Sequence, residues 1–410
     1  MNWIDIIFFI YTFIGIYTLS LFIFIYFPNR NRLFSYPKGK PEPVSIVMPC
    51  YNESATIGHS IESLLKLDYP KDMIEIIVVD DQSKDNSVNI IKEYTKKYDN
   101  VKLIVNSRNS GGAAEPTNLG VKAAKYDYIA VADSDSSPDR DALIKMIGFL
   151  QEDRLVGGVT CAVVAKHPTS FIQKLQQIEY FVIGFNRKLL DFIDAVYVTP
   201  GPFALYKKKV LMEIGLFDSK NMTQDIEIVW RMHTYGYKAR MCLAAQVHTS
   251  TPMKFTKWWK QRVRWNIGGT QSIIKHRKSL FKHGMLGAFI IPFFSITLFV
   301  GLFGLAIFFY LLITRLITSY LMSYYAYHAN TAVVTFSDLT FAPSVLNFFG
   351  FTLFVIGFLF TLFVLKLVST YSLRNKNVFN ILFYHIVYLS VYPTIMFYAM
   401  YKLIRGTYTW

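Results

Sequence analysis

Residues 127–135 read DYIAVADSD and residues 74–81 read IEIIVVDD, two short apolar runs that each end in a pair of carboxylates. Apolar and β-branched runs of this length, bounded by polar residues, signal buried strands. Three more fit the pattern: SIVMP at 45–49, VKLIVN at 101–106 and GGVTCAVVA at 157–165. Between them lie stretches of helical length at 54–67, 87–98, 114–125 and 140–152, and Pro116 suits the first turn of the third. Alternation of this kind predicts an α/β fold with a parallel sheet covered on both faces. Such sheets bind ligands at the carboxyl ends of their strands, which is where Asp80, Asp81, Asp133 and Asp135 fall.

Outside this block the chain has a different character. Lys and Arg number 43 against 28 Asp and Glu, a net charge of +15, yet only 17% of the 410 residues are charged and 52% are hydrophobic. A globular domain carries roughly a quarter charged residues, so the composition excludes a disordered chain and points to apolar membrane segments with basic flanks. Residues 6–27 contain no charge, which is long enough to cross a bilayer. Asp5 precedes them while Arg30, Arg32, Lys38 and Lys40 follow, opposite to a signal peptide and consistent with a cytoplasmic exit. Three further apolar stretches lie near 285–313, 345–367 and 378–400, giving four expected membrane segments. With the large domain inside, three later crossings would leave Lys402 and Arg405 outside, so either one stretch is re-entrant or the tail is external. The polar stretch near 326–337 reads as an external loop. Cys50, Cys161 and Cys242 are odd in number and in no metal-like spacing, which predicts buried thiols.

Any carboxylate chemistry precedes residue 228, because Asp338 is the only acid after Glu227. Asp133 and Asp135 project alike from a strand end and suit a hard divalent cation, or they cap a turn. Thr223-Gln224-Asp225 opens the helical run IEIVWRMHTYG, so Asp225 is either a helix cap or a carboxylate fixed to serve as general base. From 254 to 282, nine Lys and Arg alternate with Phe255, Trp258, Trp259 and Trp265, the composition of a helix lying on an anionic lipid surface. Residues 171–193 suit a second such helix. Gln261, Arg264 and Trp265 share one face of the first, where a guanidinium suits a phosphate and an indole suits a sugar. His248, after the last expected strand, is either a third metal ligand or a surface histidine.

Pro49-Cys50-Tyr51-Asn52-Glu53, VVDDQSKDN at 78–86, Asp133-Ser134-Asp135, Gly201-Pro202 ahead of Leu205-Tyr206-Lys207, Thr223-Gln224-Asp225 and the 261–265 pentad occur in one order and spacing. In this the chain resembles the membrane-integrated family 2 glycosyltransferases, the synthases of hyaluronan, chitin, cellulose and poly-N-acetylglucosamine. The resemblance implies a GT-A (Rossmann-like) catalytic domain. It also implies an inverting, Mg²⁺- or Mn²⁺-dependent transferase taking a nucleotide-sugar, UDP-linked by preference, to a growing polysaccharide with coupled translocation. A non-processive enzyme adding one sugar to a membrane lipid is the alternative, and no nucleic-acid partner is expected.

The resemblance also assigns positions. Tyr51, Glu53, Asp81, Asp133, Gln261 and Arg264 match donor-contacting residues; Asp133 and Asp135 match the metal pair; Asp225 matches the catalytic base; Gly201, Pro202 and Trp265 match acceptor positions. It implies four parts: a membrane helix and linker at 1–40, the cytosolic catalytic domain at 41–250, interfacial helices at 251–283 and membrane helices with a short tail at 284–410. Three departures stand out. Gly112 replaces the lysine of the family's Gly-Lys-Ala pattern ahead of Asn118, Gln224 replaces a glutamate beside the base, and residues 406–410 resemble a shortened gating tail in which Trp410 is a candidate lid.

Overall fold

The computed structural model describes residues 3–331, 345–368 and 378–408. Eight strands form one mixed sheet: β1 (Val44–Cys50), β2 (Ile74–Asp80), β3 (Val101–Val105), β4 (Tyr128–Ala132), β5 (Ser136–Pro138), β6 (Val156–Ala165), β7 (Phe203–Lys207) and β8 (Lys238–Thr249). They lie in the order β3-β2-β1-β4-β7-β6-β8-β5. β1 and β2 are buried at every position, as expected for strands covered on both faces, while the edge strand β3 is half exposed.

The expectation of an all-parallel sheet holds for β3-β2-β1-β4 and fails beyond it. β7 runs antiparallel to both β4 and β6, and β5 is antiparallel to β8. The cause is the connection. The chain reaches β7 through an irregular segment, residues 195–202, that ends over the carboxyl edge of β4, with Phe203 paired to Ala132. A strand starting at that edge can only run back down.

The helices of this domain are α2 (Ile57–Leu65), α3 (Ser87–Lys97), α4 (Ala114–Ala123), α5 (Ala142–Glu152), α6 (Phe171–Asp191), α7 (Lys208–Glu213) and α8 (Gln224–Thr234), with α1 (Trp3–Asn29) ahead of them. Pro116 falls in the first turn of α4. Gly120 on that helix packs so closely that a Cβ would lie 2.3 Å from a methyl of Val47. The three cysteines are free and buried.

The rest of the chain comprises α9 (Phe255–His276), α10 (Ile291–His328), entered through a π-helical turn at Leu286–Ile290, α11 (Val345–Val368), α12 (Val378–Phe383) and α13 (Tyr392–Arg405). Among the described residues four segments are long and apolar enough to cross a membrane: Trp3–Arg32, Leu286–His328, Gly350–Val368 and Val378–Arg405. Helix α6 lies against three of them; Phe185 meets Tyr26 of the first at 6.0 Å and Phe360 of the third at 6.0 Å between ring centroids. The region expected as an external loop begins inside α10, and residues 332–344 of it lie outside the described residues.

The last apolar segment is broken by a π turn (Tyr384–Tyr388) and a 3-10 turn (Leu389–Val391) ahead of Pro393. Both its ends meet helices joined to the sheet domain. Phe383 packs on Phe171 of α6, ring centroids 4.8 Å apart, and beyond α13 the Tyr408 hydroxyl accepts from Gln271 Nε2 of α9 at 3.2 Å. Both ends of the segment thus lie beside helices that pack on the sheet domain, the contacts the re-entrant alternative expects, with Lys402 and Arg405 next to one of those ends. Irregular backbone in such a segment is tolerated where protein covers it. Trp410 lies outside the described residues.

Candidate active site

The carboxyl edge of the sheet gathers four acids from two loops and one helix start. Asp133 and Asp135 follow β4, Glu53 follows β1, and Asp225 lies in the first turn of α8. Burial raises the Asp133 carboxyl strongly, reinforced by Asp135, Asp225 and Glu53 and opposed by Arg264. Burial likewise raises Asp225, again opposed by the Arg264 guanidinium, and raises Glu53, with Asp135 and Asp85 adding to it and Thr56 Oγ1 donating to it at 2.6 Å. Asp135 is raised by burial too, although Ser136 Oγ and Thr249 Oγ1 donate to its Oδ1 at 3.0 and 3.2 Å. Four carboxylates that repel one another in a half-buried crevice favour a cation among them.

Glycine closes one wall. A Cβ on Gly201 would lie 2.9 and 3.1 Å from the two carboxylate oxygens of Asp133, so the Gly201-Pro202 loop presses on the acid with no room for a side chain. Asp225 is oriented by its place in α8: the amide of Ile226 donates to its Oδ1 at 3.1 Å, and its own carbonyl accepts from Thr199 N at 3.2 Å. A carboxylate so fixed, with burial raising its pKa, suits a base.

A metal pair at Asp133 and Asp135 is compatible with this chemistry. The donors are hard oxygens, and their mutual repulsion would be relieved by a divalent ion. Among the described residues no group of three or more His, Cys, Asp and Glu is arranged to hold a metal, so the chain would supply two carboxylates and leave the remaining positions to substrate oxygens and water. His248 is engaged by Asp139. β8 pairs it opposite Ser137, and its Nε2 lies 3.1 Å from Asp139 Oδ1.

Tyr51 and Asp81 sit on adjoining loops to one side. Asn52 N donates to Ser83 Oγ at 2.9 Å and Lys84 N donates to Asn52 Oδ1 at 2.7 Å, which joins the two loops. Tyr51 is 45% exposed, open to a ligand. The Asp81 carboxylate is buried and occupied: Asn106 Nδ2 donates to Oδ1 at 2.7 Å, and Ser110 N and Oγ donate to Oδ2 at 2.9 and 2.8 Å. It thereby shapes the loop that carries Gly112. Asn118 is structural, exchanging two hydrogen bonds with the backbone of Phe217 at 2.8 and 2.9 Å.

Of the pentad, Arg264 reaches the acids, being electrostatically coupled to Asp225 and Asp133. Gln261 and Trp265 instead contact Arg262. Within this segment Arg262 and Arg264 are turned into protein rather than toward a lipid surface, as the sequence expects for Arg264 and does not for Arg262. Arg262 is 0% exposed. Acids on α6 and α8 claim them, and helical spacing alone does not show which face such partners occupy.

The sequence matches the family described as Glycosyl transferase family 2 over residues 45–215. It is 30% identical over 370 residues to a poly-β-1,6-N-acetyl-D-glucosamine synthase of Staphylococcus epidermidis, covering 90% of this chain and 83% of that protein. The chain belongs to the family 2 glycosyltransferases of this synthase type. A second relative, the synthase of the same name from Staphylococcus aureus (strain COL), is 32% identical over 301 residues, 72% of each chain. Among solved structures, the mannosyltransferase PcManGT from Pyrobaculum calidifontis in complex with GDP-Man and Mn2+ superposes with a TM-score of 0.57 at 15% identity, covering 97% of this chain and 99% of that one. That likeness shows a shared fold over nearly the whole of both chains.

Three residues near the synthase-type site were not singled out from the sequence. Lys166, just past the end of β6, is coupled to Asp135, and burial lowers its pKa. Arg187 on α6 is 5% exposed and acts on Asp225. Glu179, also on α6, pairs with Arg262. The available signal was an acid and an arginine on the buried face of an otherwise apolar helix.

Proposed function

We propose that the chain is an inverting transferase moving an N-acetylhexosamine from a UDP-linked donor to the end of a growing polysaccharide, which then passes through its membrane helices. The carrying observation is the crevice in which Glu53, Asp133, Asp135 and Asp225 face Arg264 beneath Gly201. The name of the staphylococcal relatives supports N-acetylglucosamine as the sugar, and the acid-rich strand ends support a diphosphate held through a divalent ion, as Mn2+ accompanies GDP-Man in the archaeal mannosyltransferase.

In this reading Tyr51 and the Asp81 loop receive the uracil, and Glu53 borders the ribose side. Asp133 and Asp135 would hold Mg²⁺ or Mn²⁺, which supplies charge neutralisation to the diphosphate when bound. Arg264 adds a fixed cation on the same leaving group. The acceptor hydroxyl, placed by Gly201, Pro202 and Trp265, attacks the anomeric carbon. Its proton passes to Asp225 as the bond from that carbon to the phosphate oxygen breaks, and UDP departs with the electron pair, so configuration inverts. Basic flanks place the domain at 41–250 and the helices at 251–283 on the cytoplasmic face of the cell membrane, between the membrane parts at 1–40 and 284–410.

The test uses the detergent-purified full chain with Mg²⁺ or Mn²⁺ and labelled UDP- and GDP-sugars. Turnover of a UDP-N-acetylhexosamine is expected, and Asp225→Asn should lower it by about 10²-fold or more while donor affinity stays within about threefold. Near-native turnover by Asp225→Asn would remove the base assignment, and a wild-type chain that turns over no donor would overturn the reading.

A further inference from the structure

The pentad helix carries a buried arginine that the transfer chemistry leaves unused. Arg262 stands between Gln261 and Arg264, and its guanidinium is engaged on every edge. Nη1 donates to Gln261 Oε1 at 2.6 Å, Nε donates to the Tyr392 hydroxyl at 3.1 Å, and Nη2 pairs with Glu179. The group also lies over the Trp265 ring, 4.0 Å from its centroid. Arg262 therefore touches both pentad residues that do not themselves reach the acids.

What holds Arg262 comes from two other elements. Glu179 of α6 accepts at Oε2 from the Tyr388 hydroxyl at 2.7 Å and at Oε1 from the Tyr392 hydroxyl. Trp258 Nε1 donates to Tyr388 at 2.6 Å. Tyr388 and Tyr392 belong to the re-entrant segment, on either side of its 3-10 turn. The π and 3-10 turns change the winding there, and both hydroxyls converge on one carboxylate. π turns within helices concentrate at functional positions. A buried ion pair is weak evidence for stability, since apolar side chains of equal volume often serve as well. A fully satisfied polar network instead fixes direction and rigidifies what it touches.

We infer that Glu179, Tyr388 and Tyr392 are positioning residues. They hold Arg262, and Arg262 sets the orientation of Gln261 and Trp265, so the re-entrant segment determines the geometry at which the acceptor end is received. This rests on the transferase reading above for its kinetic consequence, and on the contacts alone for its structural one.

Tyr392→Phe removes the hydroxyl that Arg262 and Glu179 share, and Glu179→Gln removes the charge that pairs with Arg262, each at nearly constant shape. Ile395→Ala, at a 0% exposed position one turn further on, removes packing from the same segment outside the network. Full-length variants in lipid nanodiscs are compared for thermal unfolding, donor affinity, and the KM and kcat of transfer to added oligosaccharide. Tyr392→Phe and Glu179→Gln should keep donor affinity within about threefold and raise acceptor KM about tenfold, the scale of a slightly misplaced substrate. Ile395→Ala should unfold earlier with acceptor KM unchanged. A second readout needs no turnover: the part of the tryptophan emission that Trp265→Phe removes should become more accessible to acrylamide in the two network variants. Wild-type acceptor KM and wild-type Trp265 quenching in both network variants would overturn the inference. So would a KM change in Ile395→Ala that matches theirs. A wild-type chain without donor turnover would count against the transferase reading only, and Trp265 quenching would still decide the positioning role.

Discussion

Gly201 and Asp133 show how narrow the tolerance of this crevice is. Gly201→Ala would set a methyl within about 3 Å of both carboxylate oxygens, and a short aspartate side chain has little freedom to yield. The expected outcome is a folded protein with turnover reduced about tenfold or more, since displacing a diphosphate-holding group by even an ångström is costly; unchanged turnover would mean the loop gives way instead. Lys166 answers the question raised by Gly112. Its ammonium acts on Asp135 from just past the end of β6, a cation beside the acids that does not depend on the altered loop. Lys166→Ala should weaken donor affinity about tenfold, the weight of one hydrogen bond to a charged group, measured by titration with the non-reacting nucleotide UDP.

Glu227 gives a pH signature separate from catalysis. Burial pushes its carboxyl up, but His276, Arg231 and Lys275 outweigh that and hold it at about 2, below the ordinary 4.5. A depressed carboxyl stabilises the fold above its unfolded pKa, and that contribution is lost as pH falls from about 4.5 toward 2. Its size is about 3 kcal/mol at neutral pH. Thermal unfolding followed from pH 6 down to pH 3 should show a steeper loss in the wild type than in Glu227→Gln. The acids at strand ends were legible because alternation and strand termini are local properties. Arg262, Arg187 and Lys166 were not, because each acquires its meaning from a partner far along the chain.

At the scale of elements, α8 and α9 are set against each other at Gly268. A Cβ there would meet Thr223 Oγ1 at 2.2 Å and the Thr223 amide nitrogen at 2.6 Å. Thr223 caps the helix that bears Asp225, and Gly268 lies one turn beyond Arg264, so this contact sets the spacing between the base and the cation. Gly268→Ala should separate the two helices and cost about 10²-fold in turnover, with donor affinity also reduced because Arg264 moves; a variant with native kinetics would show that the helices repack at no cost. The strands and helices of residues 44–165 were readable from alternation, except the three-residue β5, which reads as a turn. β7 was not, because its direction follows from where the preceding irregular segment ends. The 254–282 segment reads from the sequence as amphipathic with Arg264 on a donor-side face, and Arg264 does act on Asp225 and Asp133, whereas the burial of Arg262 against α6 could not be read there.

At the scale of the whole molecule, hydropathy found four apolar segments and could not resolve their parity, since composition is the same for a segment that crosses and one that returns. The contacts of Phe383 with Phe171 and of Tyr408 with Gln271 bring both ends of the last segment to the helices of the sheet domain, which reconciles Lys402 and Arg405 with the inward bias of basic residues. Thr407→Cys is the test. With the three native cysteines buried, an impermeant maleimide added to intact cells should leave position 407 unlabelled and should label it after the membrane is opened. Labelling in intact cells would place the tail outside and undo the re-entrant assignment.

The central claim is that these parts act together to lengthen a polysaccharide. The direct measurement is the size of the product formed by the purified chain in nanodiscs from labelled UDP-N-acetylglucosamine and a divalent metal, without added lipid acceptor. A polymer that lengthens with time, absent in Asp225→Asn, is the predicted result. A single sugar transferred to membrane lipid would contradict it and make the chain a glycolipid-forming transferase built on the same site.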